Sequence, residues 1–291
     1  MTASGVVIVD KPRGPTSHDV VARLRRVYGT RQVGHAGTLD PLATGVLVAL
    51  VGQGTKLSNY LTLEDKSYDA EVLFGIATDT LDAEGSVTRQ LEVETLDPER
   101  LEAALAAERA RAEQVPPAFS AIKVGGVRAH RQSRQGAPPE LPPRPVRVQA
   151  LELLALDGPR ARIRMTVSKG YYVRSLARDL GDALNLPAHL TSLRRTASGR
   201  FTLDDASPWP LPEPPPVPMP VAEAARRALP VVTLTDDGTR RARLGQKLGA
   251  EHFTAAPEAG VSAWLDAAGE LVALGEARDD VWRVVRGFSG P

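Results

Sequence analysis

The chain has 291 residues, which is long enough for one large domain and a smaller one, and its hydrophobic fraction of 42% is ordinary for a protein with a packed core. It contains no cysteine, which excludes disulfides, thiolate nucleophiles and cysteine-ligated metal sites. Its net charge of +1 excludes no class of partner, because the charge is unevenly distributed. Residues 82–113 carry nine acidic and four basic side chains, whereas residues 144–200 carry eleven basic and four acidic ones. The basic segment is either a surface for a polyanion or a solvated, arginine-rich face.

The N-terminal segment lacks the basic and apolar regions of an export signal, and no apolar run has the length of a membrane span. These features predict a soluble, cytoplasmic protein. The five histidines are scattered and form no metal-ligand spacing, so we expect a protein that needs no metal. No cofactor is expected for the activity inferred below.

The chain opens with a strand and a helix. Residues 5–12 are an apolar run that ends in a turn at Lys11, which predicts a short strand. Thr16 and Asp19 then have the spacing of a helix capping box. Apolar residues at helical spacing predict the buried stripe of the helix: Val20, Val21, Leu24 and Val27.

The most distinctive stretch is residues 34–45, Gly-His-Ala-Gly-Thr-Leu-Asp-Pro-Leu-Ala-Thr-Gly, which holds a single carboxylate, Asp40. Its glycine, proline and threonine content predicts an ordered, tightly turned loop, and the apolar run 46–51 suits a strand buried on both faces. Asp40 is then either a side chain positioned for chemistry or a turn residue before Pro41.

Four elements are predicted in the next sixty residues. Residues 56–62 favour a short helix, and alternation over 67–75 predicts a strand with one face in the core. Residues 78–85 are polar and glycine-containing, which predicts a surface loop. Asp97 opens an alanine-rich helix that runs to residue 112, and its acidic face would repel a phosphate backbone.

The second half alternates between ordered motifs and proline-rich stretches. Residues 115–145 are rich in glycine and proline and predict an exposed, mobile insertion. Residues 160–168 alternate arginine with apolar side chains, and residues 168–181 favour a glycine turn followed by a helix. Eight of the thirteen residues 208–220 are proline, which predicts a semi-rigid linker. A short helix at 221–229 and about sixty residues with three strand-like runs follow.

Several of these stretches resemble the bacterial TruB family, the tRNA pseudouridine-55 synthases. The shared motifs are D-K-P-x-G-x-T-S-H-D-V-V from Asp10, G-H-x-G-x-L-D-P-x-A-T-G from Gly34, P-P-x-[FY]-S-A-[IL]-K from Pro116, the stretch 168–181, and L-R-R from Leu193. They cover the chain from residue 5 to about residue 200. One departure is His130, which stands where the family commonly has a tyrosine and leaves the packing of the insertion open.

The resemblance implies an α+β pseudouridine synthase fold with a central, largely antiparallel mixed sheet, formed by residues 1–207. Within it, residues 115–145 would be a mobile thumb that closes over RNA. Residues 208–230 would be a proline-rich linker and short helix, and residues 231–291 a small β-rich, RNA-binding PUA-like domain. The motif match of the last segment is loose, and a structural cap is its alternative.

The activity implied by the resemblance is the isomerisation of uridine 55 in the T loop of tRNA to pseudouridine, after the base has been flipped out. The implied partner is the tRNA T-arm, with no membrane and no obligatory protein partner, and the enzyme is expected to be a monomer. The basic segment 144–200 would hold phosphates.

The resemblance also implies which residues form the site. Asp40 would be the catalytic aspartate, with Arg174 paired to it and orienting it. Tyr68 would stack on the target base, and Tyr172 and Leu193 would close the pocket. The alternative for these last three residues is an ordinary place in the core.

Two more residues are implied at the edge of the site. His35 would fill the space left by the flipped base, and Lys11 would support the floor of the site. The alternatives are a polar-turn histidine and an exposed turn lysine.

Two other functions compete with this hypothesis. A hydrolase of N-glycosidic bonds is disfavoured because the motifs near Asp40 supply no second acid, and such hydrolysis often uses a pair of carboxylates. An RNA chaperone or binding module would not need Asp40 at all. The sequence leaves open whether Asp40 acts as a nucleophile or as a base.

Overall fold

The computed structural model describes residues 3–137, 139–278 and 281–289, and the side chains at positions 128, 130, 134 and 278 are outside that description. The chain forms two compact units. The first comprises the residues up to Leu39, Val46–Glu64 and the residues from Ser198 onward, and the second comprises Asp40–Gly45 and Asp65–Ala197. The predicted domain boundaries at 207 and 230 stay a prediction.

Helices are interspersed with strands along the described residues. The N-terminal elements are β1 (Gly5–Lys11), α1 (Ser17–Val27), β2 (Val33–His35), β3 (Thr44–Val51), a 3₁₀ segment (Gly52–Leu57) and α2 (Ser58–Leu61). The middle elements are β4 (Lys66–Phe74), β5 (Ile76–Thr78), β6 (Val87–Gln90), α3 (Pro98–Arg109), β7 (Glu113–Gln114), β8 (Lys123–Val124), β9 (Val127–Arg128), α4 (Ala129–Arg134), β10 (Arg144–Pro145), β11 (Val148–Asp157), β12 (Arg160–Val167), α5 (Val173–Leu184) and β13 (Ala188–Ser198). The last elements are β14 (Phe201–Thr202), a 3₁₀ segment (Leu203–Asp205), α6 (Val221–Ala228), β15 (Val231–Thr233), α7 (Asp236–Arg243), a 3₁₀ segment (Ala250–His252), β16 (Gly260–Leu265), β17 (Leu271–Arg278) and β18 (Val281–Gly287).

Local signals explain where helix α1 begins. The Thr16 hydroxyl accepts a hydrogen bond from the Asp19 N–H, and the Asp19 carboxylate accepts one from the Thr16 N–H, which completes the predicted capping box. Val20, Val21 and Leu24 form its buried stripe. Helix α3 begins with a simpler cap, in which the Asp97 carboxylate accepts from the Glu99 and Arg100 N–H groups.

In the first unit, N-terminal and C-terminal elements pack together in a common core. Strands β1 and β2 pair with β3. The C-terminal sheet has the order β15-β16-β17-β18, with β15 parallel to β16 and the other pairs antiparallel. Buried residues of β1, β3 and this sheet form a single cluster, which we call the shared core, and which includes Ile8, Val48, Leu265 and Leu274.

The opposite face of the C-terminal sheet has a core of its own. Trp264 and Trp282 pack there with Phe253, whose ring lies edge-on to Trp264. Because side chains alternate along a strand, Trp264 points into this second core and Leu265 into the shared core. The sheet is thus buried on both faces.

The second unit is built on a mixed sheet. Strand β12 pairs antiparallel with both β4 and β11, and the first residues of β3 pair in parallel with β13. On β4 every second residue is buried, from Lys66 to Phe74, as the alternation predicts. Helices α3 and α5 pack against each other, and α3 also packs on β11. The prediction of an α+β fold with a mixed, largely antiparallel sheet is confirmed.

The 115–145 insertion leaves this unit from a short ladder. Strand β7 pairs with β10, so that Gln114 faces Arg144 at the base of the insertion. Beyond the base lie the β8–β9 hairpin and helix α4. The mobility of the insertion stays a prediction, and the side chain of His130 lies outside the described residues.

Candidate active site

The Asp40 loop is held by its apolar residues. Leu42 and Ala43 are buried, while the Asp40 side chain is 39% exposed. The Ala43 N–H donates to the Asp40 carbonyl at 3.0 Å, which closes a turn with Pro41 at its second position. The buried residues fix the backbone, and the carboxylate stays accessible to a ligand.

Gly45 allows the loop to enter the sheet. It pairs with Arg195 of β13 and has a φ of +97°. A Cβ atom at this position would lie 2.2 Å from the Arg195 carbonyl oxygen, so only glycine fits here. Next to it, the Thr44 hydroxyl donates to the Leu193 carbonyl at 3.4 Å.

Arg174 is the partner of Asp40. Its Nε donates to Asp40 Oδ2 at 2.8 Å, although the two residues come from distant parts of the chain. The residue is only 6% exposed, and its two terminal nitrogens donate to the carbonyls of Thr80 and Phe119, each at 2.9 Å. A buried guanidinium with three fixed acceptors is a rigid support, and it holds the Asp40 carboxylate in one orientation.

A second carboxylate lies at the same guanidinium. Asp82 Oδ2 is 3.6 Å from Arg174 Nε, and the Asp82 side chain is buried. Its Oδ1 accepts from the Thr80 hydroxyl at 2.6 Å and from the Glu84 N–H at 3.0 Å. The expectation of a surface loop over 78–85 is wrong at Thr78 and Asp82, each 5% exposed, because the charge of Arg174 and local hydrogen bonds compensate Asp82. The motif around Asp40 supplies no second acid, but the fold brings one from residues 78–85 to the arginine that holds Asp40.

Tyr172 lies next to this ion pair. It immediately precedes helix α5, which carries Arg174. Burial raises the pKa of the Tyr172 hydroxyl above its usual value, and the charges of Arg144, Arg174 and Asp40 also act on that pKa. Tyr172 thus lies near Asp40 and Arg174, and its role in closing the pocket stays a prediction.

Tyr68 and Leu193 lie on neighbouring strands of the same unit. Tyr68 is on β4 and Leu193 is on β13, and both side chains are buried. Burial satisfies both the pocket-wall hypothesis and the plain core alternative, so their roles stay predictions.

Lys11 and His35 belong to the first unit. Lys11 is fully buried, and its Nζ donates to the carbonyls of Pro12 and Pro15 at 2.9 and 2.8 Å. The alternative of an exposed turn lysine is therefore wrong. His35 is half-buried on β2, with its ring edge-on to that of His18 at 5.5 Å between centroids.

The arginines of the 144–200 segment do not form one continuous cationic face. Arg174 and Arg195 are buried. On the exposed face of β12, Arg160 pairs with Glu71 at 2.9 Å and Arg164 pairs with Asp69 at 2.8 Å. The hydrogen bond from Arg164 lowers the pKa of Asp69, so that pair stays charged at neutral pH. The segment has a net positive charge, but carboxylates of β4 neutralise much of the charge on β12.

No group of three or more histidine, aspartate or glutamate side chains is arranged to hold a metal ion in the part of the chain that the structure describes. Within the same residues, no helix has both the length and the apolar character that a membrane span needs.

Two family models match the chain. The model of the N-terminal domain of TruB family pseudouridylate synthases matches residues 25–173, and that of the tRNA pseudouridylate synthase B C-terminal domain matches residues 174–210. The chain belongs to the TruB family. It is a pseudouridine synthase and hence an isomerase, as the sequence motifs predict. Family membership decides against the hydrolase and the non-enzymatic hypotheses.

Curated relatives of this TruB family member are similar over most of their length. A protein of Mycobacterium sp. (strain KMS) named tRNA pseudouridine synthase B is 46% identical over 272 residues, which cover 90% of this chain and 92% of the relative. A Mycobacterium bovis (strain BCG / Pasteur 1173P2) protein of the same name is 50% identical over 209 residues, or 70% of each chain.

Solved structures of similar fold come from larger assemblies. A chain in a crystal structure of a Cbf5-Nop10-Gar1 complex aligns with a TM-score of 0.74 at 26% identity, covering 95% of this chain and 79% of that one. A chain in an H/ACA RNP bound to a substrate RNA containing 2′-deoxyuridine aligns with a TM-score of 0.75 at 24% identity, covering 98% and 85%. The second likeness concerns the fold alone.

Proposed function

We propose that this TruB family member converts uridine 55 in the T loop of tRNA to pseudouridine, with Asp40 as the catalytic aspartate. The observation that carries the proposal is the contact between Asp40 and Arg174, in which a buried arginine holds a single accessible carboxylate at 2.8 Å. The names of the curated relatives support tRNA as the substrate.

The reaction breaks the bond between N1 of uracil and C1′ of the ribose and forms a new bond from C1′ to C5. N1 gains a proton and C5 loses one, so the step has no redox change and no net hydrolysis. Asp40 serves this rearrangement either as a nucleophile or as a base, and both roles need a carboxylate fixed beside the base. Arg174 fixes it, since its other nitrogens are already held by the carbonyls of Thr80 and Phe119.

The target base has to leave the stacked T loop before Asp40 can reach it, which costs a few kcal/mol. Tyr68 would stack on the extruded base, and Tyr172 and Leu193 would close the pocket around it. His35 would occupy the space that the base leaves, because aromatic stacking is common in RNA recognition. Lys11 would support the floor of the site.

The RNA would also contact two other parts of the chain. The 115–145 insertion would close over it as a thumb, and residues 231–291 would bind it as a PUA-like domain. We further propose that the enzyme acts in the cytoplasm as a monomer, without an obligatory protein partner and without a cofactor.

The test uses tRNA labelled with tritium at C5 of uridine, because the proton lost from C5 reports the new bond. The purified enzyme is expected to release tritium, and Asp40→Asn is expected to abolish release while RNA binding stays measurable. Asparagine keeps the shape of the side chain but has neither a negative charge nor a basic oxygen. An active Asp40→Asn variant would contradict the catalytic role of Asp40, and free uracil among the products would indicate hydrolysis instead.

A further inference from the structure

Gln114 is a buried glutamine at the base of the 115–145 insertion, with 2% of its surface exposed. Its side-chain amide makes two hydrogen bonds to the backbone of one residue, Tyr172. The Tyr172 N–H donates to Gln114 Oε1 at 2.8 Å, and Gln114 Nε2 donates to the Tyr172 carbonyl at 3.2 Å. The amide therefore binds Tyr172 as a neighbouring β-strand would.

These bonds act at the beginning of helix α5. Tyr172 is the N-cap residue of α5 and makes no capping bond with its own side chain. Its carbonyl already accepts from the N–H groups of Ser175 and Leu176 in the first turn. Its own N–H precedes the helix and has no acceptor inside it, so Gln114 supplies one. The first turn of α5 is thus oriented from outside the helix.

The residues after Gln114 hold the same turn. The Ser175 hydroxyl and Arg178 Nη2 each donate to the Val115 carbonyl at 2.9 Å. Arg174 Nη2 donates to the Phe119 carbonyl at 2.9 Å. Residues 114–119 therefore hold, through hydrogen bonds, the turn that carries Tyr172 and Arg174.

We propose that Gln114 is a positioning residue for the uridine site. By fixing the Tyr172 backbone, it places the Tyr172 ring and, two residues on, the guanidinium that orients Asp40. It also ties both to strand β7, from which the insertion leaves. The inference rests on the proposed function, because it assigns Tyr172 to the base and Asp40 to the chemistry.

Losing the support of Gln114 should lower the reaction rate more than the affinity for RNA. A reacting group displaced by about 1 Å lowers a rate by roughly a hundredfold, even when the change lies outside the reacting atoms. RNA affinity comes mostly from contacts spread over the phosphate backbone, and a shift of one helix turn leaves those in place.

The test compares Gln114→Met with Arg100→Met. Methionine is close to glutamine in size and shape but makes neither bond to Tyr172. Arg100 Nη2 donates to the Leu184 carbonyl at 3.3 Å, so Arg100→Met removes a side-chain bond to the other end of α5 without touching its first turn. With tritium-labelled T-arm RNA, the single-turnover rate of Gln114→Met is expected to fall by about ten- to a hundredfold. Its RNA dissociation constant and the rate of Arg100→Met are expected to stay within about threefold of wild type.

A second variant, Gln114→Glu, covers the case in which Gln114→Met does not fold. It keeps the acceptor for the Tyr172 N–H and loses the donor to the Tyr172 carbonyl, so its rate should also fall. A wild-type rate in either folded variant would overturn the proposal, as would equal losses of rate and affinity. If both variants unfold, Gln114 supports the fold as a whole and the positioning role is wrong. Failure of the proposed function is a separate outcome, because the wild-type enzyme would then release no tritium.

Discussion

At the scale of single residues, the structure predicts that Asp82 affects the rate by sharing Arg174 with Asp40. Asp82 and Asp40 share one guanidinium, with Arg174 Nε at 3.6 and 2.8 Å. Asp82→Asn removes one of the two counter-charges, and the remaining pair of Arg174 with Asp40 becomes tighter. A more strongly bound Asp40 carboxylate is a weaker nucleophile or base. The single-turnover rate is expected to fall by about tenfold, or ~1.4 kcal/mol in the barrier, with RNA affinity unchanged.

The matched control is Asp79→Asn. Asp79 lies in the same loop and accepts a hydrogen bond from the Ser86 N–H, but its side chain is exposed and makes no ion pair with Arg174 among the described residues. Its rate is expected to stay close to wild type. Equal rates for the two variants would show that Asp82 only shapes the loop.

The sequence predicts some of these residues and not others for a physical reason. Asp40 and Arg174 stand in long motifs with fixed spacing, so the resemblance alone pairs them, and the 2.8 Å contact agrees. Asp82 stands in a polar loop whose composition predicts exposure. Its burial depends on a charge supplied by a distant helix, which no local pattern records. Gln114 has no local signal either, because its two partners are backbone atoms.

At the scale of elements, a buried charged group joins helix α3 to the residues that lead into α5. The Tyr171 hydroxyl donates to Glu108 Oε1 at 2.7 Å, and Arg111 Nε donates to Glu108 Oε2 at 2.5 Å. Burial, together with the negative charge of Glu108, raises the pKa of Tyr171 well above its usual value of about 10. Tyr171 thus stays protonated in the folded protein at pH values at which the unfolded chain begins to ionise.

This pKa shift predicts how stability depends on pH. The contribution of Tyr171 is fully present below about pH 10 and is lost as the pH rises toward the folded-state pKa. Near pH 8, Tyr171→Phe is expected to lower the free energy of unfolding by about 1–2 kcal/mol, because Glu108 loses a buried hydrogen bond. Above about pH 10 the difference between wild type and variant should shrink. Urea unfolding of both proteins across this range is the measurement, and a constant difference would contradict the predicted titration.

The sequence correctly predicts the elements that have local signals, and it does not predict the pairings that depend on tertiary contacts. The capping box at Thr16 and the alternation along β4 predict a helix start and a strand face that the structure contains. The parallel pairing of β3 with β13 could not be predicted, because it depends on the close approach of Gly45 and Arg195. The sequence pattern predicts the C-terminal strands, but it does not predict that both faces of their sheet are buried.

At the scale of the whole molecule, the packing of the C-terminal sheet in the shared core bears on what the C-terminal segment does. As an independent RNA-binding module, residues 231–291 would fold and unfold on their own. The shared core argues for a structural part as well, because Leu265 and Leu274 belong to the same buried cluster as Ile8 and Val48. Removing a side chain from this face should therefore loosen strands β1 and β3, far from it in sequence.

Leu274→Ala and Val285→Ala distinguish a C-terminal segment that folds on its own from one that stabilises the rest of the first unit. Leu274 is 0% exposed in the shared core, whereas Val285 is 45% exposed on the neighbouring strand. Leu274→Ala is expected to lower the free energy of unfolding by about 2–5 kcal/mol, and Val285→Ala by no more than about 0.5 kcal/mol. Hydrogen exchange then locates the effect: with a shared core, Leu274→Ala speeds exchange of the β1 and β3 amides. Faster exchange confined to residues 231–289, with β1 and β3 as protected as in wild type, would mean that the C-terminal segment is energetically separate.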